Sequence, residues 1–265
     1  MNLEIGDAEI IFEKTGSIAK SDVAVNISLF NYEDYIIKCL QSVYNQNEKN
    51  IDLVVVDDCS TDTALMKVKQ WMSENSERFN NLLLIHHINN RGLSVTRNTA
   101  IFYSKSPYIY VLDADNELYP SCISKLKVAL DENKDAFFAY NIICVESEIS
   151  HRLMGYQTWD KELLSKGNYI DAMSLIRREK LIELGGYSSE MKTGWEDYDL
   201  WCRVAENDGF GVLVPQILSL YREHGDSMLR VLTHVTEEKT NLLIKKIVSR
   251  HNWLLLNTAK NSINE

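Results

Sequence analysis

Proline and glycine are scarce in this 265-residue chain, at 3 and 11 residues, and no Gly/Ser-rich stretch or internal repeat interrupts it. No flexible linker or repeat array is therefore expected. Its five cysteines are odd in number and form no Cys-x-x-Cys pair, which excludes a complete disulfide framework, argues against a zinc site and fits a reducing compartment. The opening residues Met1-Asn2-Leu3-Glu4-Ile5-Gly6-Asp7 lack the basic flank and apolar stretch of a signal peptide. No apolar run approaches membrane-spanning length. The expected location is cytoplasmic, with a membrane-linked partner at the inner face still allowed. Positive charge is also short: 28 Lys and Arg against 38 Asp and Glu give a net charge of -10 and a pI near 5.2. That balance counts against nucleic acid as a partner, and an anionic ligand would need metal, Arg side chains or helix N-termini close by. No Gly-x-Gly-x-x-Gly follows the first strand, which disfavours a dinucleotide oxidoreductase and a sugar nucleotidyltransferase.

What is present is a regular alternation. The composition, 45% hydrophobic and 25% charged, suits one large α/β domain or two small ones. Val23-Ala24-Val25-Asn26-Ile27-Ser28-Leu29 reads as a first strand, and Ile36, Ile37, Leu40, Val43 and Tyr44 give the next segment helical periodicity. Leu53-Val54-Val55-Val56 is continuously apolar, as in a strand covered on both faces, and runs into the acidic turn Asp57-Asp58-Cys59-Ser60-Thr61-Asp62. A helix over 63–75, a strand over 82–87, a helix over 93–104 and the strand Tyr108-Ile109-Tyr110-Val111-Leu112 follow. This βαβαβαβ order predicts a Rossmann-like, mostly parallel central sheet with helices on both faces. Asp57, Asp58, Asp113 and Asp115 then share one rim of strand ends. A later strand is expected over 137–146.

Two segments flank this pattern. Residues 1–21 form a lead segment in which Ala8-Glu9-Ile10-Ile11-Phe12-Glu13 alternates; it is either an extra edge strand or the remnant of a junction with another domain. Residues 233–265 form a C-terminal helical extension, its helix spanning about 233–256. Leu242, Leu243, Ile244, Ile247, Val248, Trp253, Leu254 and Leu255 make a wide apolar face beside Lys245, Lys246 and Arg250. Packing back on the domain, a homo-oligomer contact and a basic membrane-surface helix are the three readings of that face.

Asp113-Ala114-Asp115 holds the clearest chemistry. Side chains alternate along a strand, so the two carboxylates project to one side while Ala114 points away. Such a pair suits Mg²⁺ or Mn²⁺, whose shell is usually completed by water and substrate phosphates. A solvated acidic loop is the plainer reading of the tripeptide alone.

In ordered combination these motifs resemble those of the inverting glycosyltransferases of family 2, built on the GT-A fold. Ser28-Leu29-Phe30-Asn31-Tyr32-Glu33 resembles the family's first-strand loop, and Val54-Val55-Val56-Asp57-Asp58-Cys59-Ser60-Thr61-Asp62 its nucleotide-recognition turn. Asn90-Arg91-Gly92-Leu93-Ser94-Val95-Thr96-Arg97-Asn98-Thr99-Ala100 is similar to its Gly-x-Ser-x-Ala-Arg-Asn-x-Gly helix start, with Thr96 and Ala100 as departures. Asp113-Ala114-Asp115 corresponds to its metal motif. Leu184-Gly185-Gly186-Tyr187 and Gly194-Trp195-Glu196-Asp197-Tyr198-Asp199-Leu200-Trp201 resemble the acceptor-side segment and the acidic motif that holds the base. Tyr221-Arg222-Glu223-His224-Gly225-Asp226-Ser227-Met228 resembles the loop in which a histidine completes the metal shell.

The resemblance implies a glycosyltransferase domain over 22–232, with a nucleotide-binding half at about 22–116 and an acceptor half at about 117–232. It implies a UDP-sugar donor met by Ser28, Phe30, Asn31, Asp57, Asp58, Arg97, Asp113, Ala114 and Asp115. Asp58 would take the uracil imide, and Arg97 either the nucleotide or Asp113. Asp113, Asp115 and His224 would hold Mn²⁺ or Mg²⁺, although a hydrogen-bonded loop histidine explains His224 equally. Arg222 could hold a phosphate. Asp197 is the expected general base, with Glu196 and Asp199 in competition because sequence does not fix the helix rotation. The acceptor would be a glycan or glycoprotein in bacterial surface assembly, with specificity in the variable region 153–169 and a neighbouring glycosyltransferase domain allowed. Trp195 and Trp201 are either core or acceptor contacts, and His86-His87 reads as strand and loop filling. A metal-dependent phosphohydrolase and a catalytically silent nucleotide-sugar-binding module are the alternatives.

Overall fold

The continuously apolar runs pair in parallel, as strands buried on both faces should. Strands β2 (Val23–Leu29), β3 (Ile51–Asp57), β4 (Leu82–His87) and β5 (Tyr108–Asp113) stand in the order β4-β3-β2-β5. The structure is a computed structural model and describes residues 3–17, 21–147, 151–225 and 236–256. The lead segment contributes an edge strand, β1 (Ala8–Lys14), antiparallel to β4. Helices α1 (Ile36–Tyr44), α2 (Ala64–Glu74) and α3 (Leu93–Tyr103) connect the parallel strands.

Beyond β5 the sheet continues through residues from the second half of the chain. A two-residue strand β6 (Glu117–Leu118) and helix α4 (Cys122–Glu132) precede β7 (Phe138–Ser147), with which β8 (His151–Met154) forms a hairpin. After the short α5 (Lys161–Lys166), β9 (Leu175–Arg177) inserts antiparallel between β5 and β7. Helices α6 (Arg178–Glu183) and α7 (Glu196–Glu206) lead to β10 (Gly211–Glu223), parallel to β7 and antiparallel to β6. Among the described residues one ten-stranded sheet therefore spans both halves.

Alternation along the strands divides the core in two. Val23, Val25, Ile27, Leu53 and Val55 face α1, α2 and α4, whereas Ile109, Val111, Phe138 and Ile176 face the side covered by α3, α6 and α7. That second face also takes α8 (Glu237–Arg250), which buries Leu243 and Ile247 while Leu242 stays 59% exposed. Packing back is thus the fate of the terminal helix. It ends earlier than the apolar pattern suggests, because the chain turns at 251–253 to bury Leu254 while Leu255 remains outside. Residues 233–235 lie outside the described residues.

Candidate functional site

The strand register brings the acidic motifs together. Ser28 stands opposite Asp113 and Leu29 opposite Asp57, so β2, β3 and β5 end at one level. Asn31 and Cys59 adopt left-handed backbone (φ 57° and 64°), which folds their loops over this rim. The loops are tied to each other: Asn31 Oδ1 accepts from Thr61 N at 2.7 Å, and Glu33 N donates to Asp62 Oδ2 at 2.9 Å. The Asn31 carboxamide oxygen is thereby engaged within the protein, whereas Phe30 projects outward, 43% exposed. Ser28 is buried. The Ala114 methyl is core, so any ligand contact of that residue runs through its backbone.

Asp57 and Asp58 are both buried, and each meets one of the adjacent histidines. Asp57 Oδ2 lies 2.7 Å from His86 Nδ1, and Asp58 Oδ1 lies 2.6 Å from His87 Nδ1. Asp58 also accepts from Arg91 N and Gly92 N, both at 2.8 Å, tying the turn before α3. Gly92 there has φ 85°, a conformation that favours glycine. His86-His87 is therefore more than filling, a role that follows from cross-strand register and that period alone does not reveal.

Arg97 is the centre of the site. Only 2% exposed, its guanidinium donates from Nη2 to Asp113 Oδ1 at 2.8 Å and from Nη1 to Glu196 Oε1 at 2.5 Å. It lies over the Tyr187 ring, 5.1 Å from the centroid. Of the two roles the sequence allowed, bracing Asp113 is the one seen. The same side chain joins the end of β5 to the start of α7.

Asp115 faces the later loop. Its Oδ2 lies 3.0 Å from His224 Nε2, and the imidazole stacks on Tyr35 at 4.7 Å with Tyr32 edge-on. Burial pushes the Asp115 carboxyl up; the hydrogen bond to His224 opposes this and the charge of Asp113 adds to it. Arg222, a phosphate candidate by sequence, donates to the Asp115 carbonyl at 2.7 Å and pairs with Glu117. Among the described residues no three acidic, His or Cys side chains form a ready metal cluster. Asp113 gives Oδ1 to Arg97 and has its second oxygen left for a cation, beside Asp115 and His224, whose Nδ1 is buried and unpartnered. Carboxylate plus imidazole fits Mn²⁺ better than Mg²⁺, and a partial shell fits a cation that takes its remaining ligands from water and a diphosphate.

Trp195, with φ 63°, begins α7, and Glu196, Asp197 and Asp199 fill its first turn, where the helix dipole favours negative charge. The rotation left open by sequence is now fixed. Glu196 is buried against Arg97, and Asp199 is wholly buried. Asp197 is the partly exposed one, and its Oδ2 accepts from Asn168 Nδ2 at 3.0 Å. Burial, with Glu196 and Asp171 nearby, pushes the Asp197 carboxyl well above the ordinary range; Arg97 opposes this only in part. Asp171 went unnoticed in the sequence. Burial and the charge of Asp113 raise its carboxyl to about 7, and it sits in the loop before β9 with Oδ1 accepting from Met173 N. A lone acid in the run Tyr169-Ile170-Asp171-Ala172-Met173 was the available signal. Trp201 is core, stacked on Phe138 at 4.1 Å, and Trp195 packs edge-on to Tyr198.

Asp199 anchors α8 to α7. It accepts from Arg203 Nε (2.9 Å), Arg250 Nε (2.6 Å) and His251 Nε2 (3.1 Å). Burial alone would raise its carboxyl, but His251, Arg203 and Arg250 outweigh this and hold it at about 2. The resulting stability is present above the ordinary carboxylate range and lost as pH falls through that value, about 2 kcal/mol in all. His251 has the opposite sign. Burial would lower its pKa, yet the hydrogen bonds to Asp199 and Glu206 more than reverse this. Its contribution is complete below the ordinary imidazole pKa and fades as pH rises through the raised value. His251→Gln is therefore expected to destabilise more at pH 6 than at pH 9. Urea melts at both pH values check this, and equal losses would rule out a part for the imidazole charge.

Residues 24–191 match the profile of glycosyl transferase family 2. An uncharacterized glycosyltransferase of Haemophilus influenzae (strain ATCC 51907 / DSM 11121 / KW20 / Rd) is 28% identical over 237 residues, covering 82% of this chain and 70% of that protein. Among solved structures, S. aureus TarS 1-349 in complex with UDP-GlcNAc superposes with a TM-score of 0.69 at 17% identity, over 86% of this chain and 66% of that one. A mannosyltransferase from Pyrobaculum calidifontis, PcManGT, in complex with GDP-Man and Mn²⁺, gives 0.64 at 16% identity, over 89% and 66%. At these identities the likeness establishes the fold, the expected GT-A type of mixed, mostly parallel sheet with helices on both faces.

Proposed function

The chain belongs to glycosyl transferase family 2 and is a glycosyltransferase, and from that premise we propose an inverting, metal-dependent enzyme that moves a hexose or N-acetylhexosamine, glucose or GlcNAc favoured, from UDP to a hydroxyl of a glycan or glycoprotein. One observation carries this reading: the strand-end carboxylate Asp113 and the helix-start carboxylates Glu196 and Asp197 gather around a single buried arginine, with Asp115 close enough to Asp113 for the two charges to interact. A surplus of negative charge there calls for a cation, and a carboxyl with a raised pKa is what proton removal from a hydroxyl requires. The TarS neighbour binds UDP-GlcNAc and the PcManGT neighbour binds Mn²⁺, and both support the assignment by analogy of fold.

In this reading the 22–116 half binds the donor. Ser28, Phe30, Asn31, Asp57 and Asp58 form the nucleotide rim. Asp58 has three of its four acceptor positions filled and keeps one on Oδ2 for an N–H of the base. Asp115 and His224 would hold the cation, with Asp113 beside them. When bound, Mn²⁺ or Mg²⁺ supplies positive charge to the diphosphate leaving group. The 117–232 half presents the acceptor. Asp197 accepts the proton of the attacking hydroxyl while its oxygen bonds to the anomeric carbon, and the bond to the UDP oxygen breaks on the opposite face. Glu196, held by Arg97, keeps a negative charge beside Asp197 and so favours its proton-accepting basicity.

The test is a UDP-sugar panel, assayed for UDP release and for sugar transfer with and without Mn²⁺. The expected result is release that depends on added metal and is lost with EDTA. Phosphate release without any sugar transfer would favour a phosphohydrolase, and UDP binding without turnover on any donor and acceptor a silent binding module.

A further inference from the structure

The two histidines at the end of β4 are not equivalent. His86 is partly exposed beside Asp57, whereas the His87 side chain is fully buried and gripped on both sides. In front, Nδ1 donates to Asp58 Oδ1. Behind, Nε2 accepts from Thr99 Oγ1 on α3 at 2.9 Å; that hydroxyl also lies 3.0 Å from the Val95 carbonyl, and its oxygen accepts from Gly6 N–H at 3.2 Å. Gly6 lies flat against the ring: a methyl group added there would meet His87 Nε2 at 2.8 Å. The Asp7 carbonyl accepts from Ile88 N at 3.0 Å, which fastens the lead segment to the residue after His87. Gly6 and Asp7 precede the 24–191 span that matches the family profile. A chain of contacts thus runs from the lead segment through Thr99 and His87 to Asp58, and from Asp58 to the amides of Arg91 and Gly92.

We infer that His87 is a positioning residue for the nucleotide: backed by Thr99 and Gly6, it fixes the Asp58 carboxylate and the 90–92 turn in the orientation that receives the base. The inference rests on the reading of Asp58 as the carboxylate that meets the nucleotide. Its physical basis is preorganisation. With Oδ1 held by the imidazole and both oxygens held by amides, the open position on Oδ2 has one direction, and a ligand N–H meets it without reordering the side chain. Without the Nδ1 donor, the carboxylate is held by the two turn amides alone, and part of the binding free energy goes into ordering both.

Calorimetric titration of the full chain with UDP, paired with donor KM and kcat, tests this. Asparagine at 87 can place an amide N–H near the Nδ1 position, whereas glutamine reaches towards Nε2. His87→Gln is expected to weaken UDP binding about tenfold or more, as loss of a hydrogen bond to a charged group does, and to raise donor KM more than it lowers kcat. His87→Asn should recover most of that affinity. Gly6→Ala, whose added methyl meets the ring at Nε2 and not at the Nδ1 that holds Asp58, should weaken UDP binding in the same direction by crowding the ring. Equal losses in the two His87 variants, tracking their melting temperatures, would reduce His87 to packing and overturn the inference, as would full affinity in His87→Gln. Wild-type affinity in Gly6→Ala would remove the lead segment from it. Asp58→Asn separates the two layers. Weak binding there with intact His87→Gln refutes the positioning role alone, and intact binding there refutes the reading of Asp58.

Discussion

Replacing Asp197 by Asn is expected to lower sugar transfer by about 10²- to 10⁴-fold, the usual contribution of a positioned general base, while leaving UDP affinity near that of the wild type. The substitution keeps the shape of the side chain and removes its capacity to take a proton. Its neighbours argue for a clean result. Asp197 is partly exposed and its carboxylate accepts two hydrogen bonds, from Asn168 Nδ2 and from Tyr198 N, so an asparagine can keep the Tyr198 contact through its Oδ1 without leaving a buried charge unpaired. The raised carboxyl pKa adds a second expectation. Rate should climb with pH as Asp197 ionises, and Glu196→Gln, which removes the adjacent charge, should move that acid limb to lower pH. Stopped assays of transfer and UDP titrations, run on the same preparations, separate the chemical step from binding. Retained turnover in Asp197→Asn would pass the role to Asp171, whose carboxyl is also raised.

Arg97→Met is expected to be the most disruptive single change to the site. Removing one partner from a buried ion pair typically costs about 3–5 kcal/mol, because the charge left behind has no water to return to. Here two carboxylates lose their partner at once. Glu196, with a side chain 6% exposed, bears most of the cost, and Asp113, at 25%, can recover part of its solvation. Arg97→Lys should fail to rescue, since one ammonium cannot serve acceptors on two elements in the way a planar fork does. Urea melts measure the loss, and a change under about 1 kcal/mol would mean that both carboxylates relax into solvent. Transfer should fall as well, because α7 loses its tie to the end of β5.

Local pattern made the first half of the chain readable. Continuous apolar runs such as Leu53-Val54-Val55-Val56 mark strands covered on both faces, and the strand at Leu82–His87 begins and ends where its composition does. The rim carboxylates Asp57, Asp58, Asp113 and Asp115 were readable for the same reason, since each closes or follows such a run. What local pattern leaves out is whatever depends on distant pairing. The partners of His86 and His87 follow from parallel register, and the direction of the Arg97 side chain from the approach of α7. Asp171 is drawn into the site by β9, three residues long and too short to carry a period. The end of α8 was overrun because Trp253 and Leu254 continue an apolar stripe in a segment where the backbone has already turned.

The placement of β9 also bears on the order of assembly. Strands β1 to β5 and their crossover helices draw on contiguous chain, so this half can form early from contacts of short sequence separation. Its outer strand, β5, then presents an open row of peptide groups until Leu175–Arg177 arrives, roughly sixty residues later, to cap it and to receive β7 on the other side. During synthesis that edge is the natural point for wrong pairing between nascent chains. Leu175 and Ile176, fully buried in the finished sheet, are the residues whose late arrival closes it.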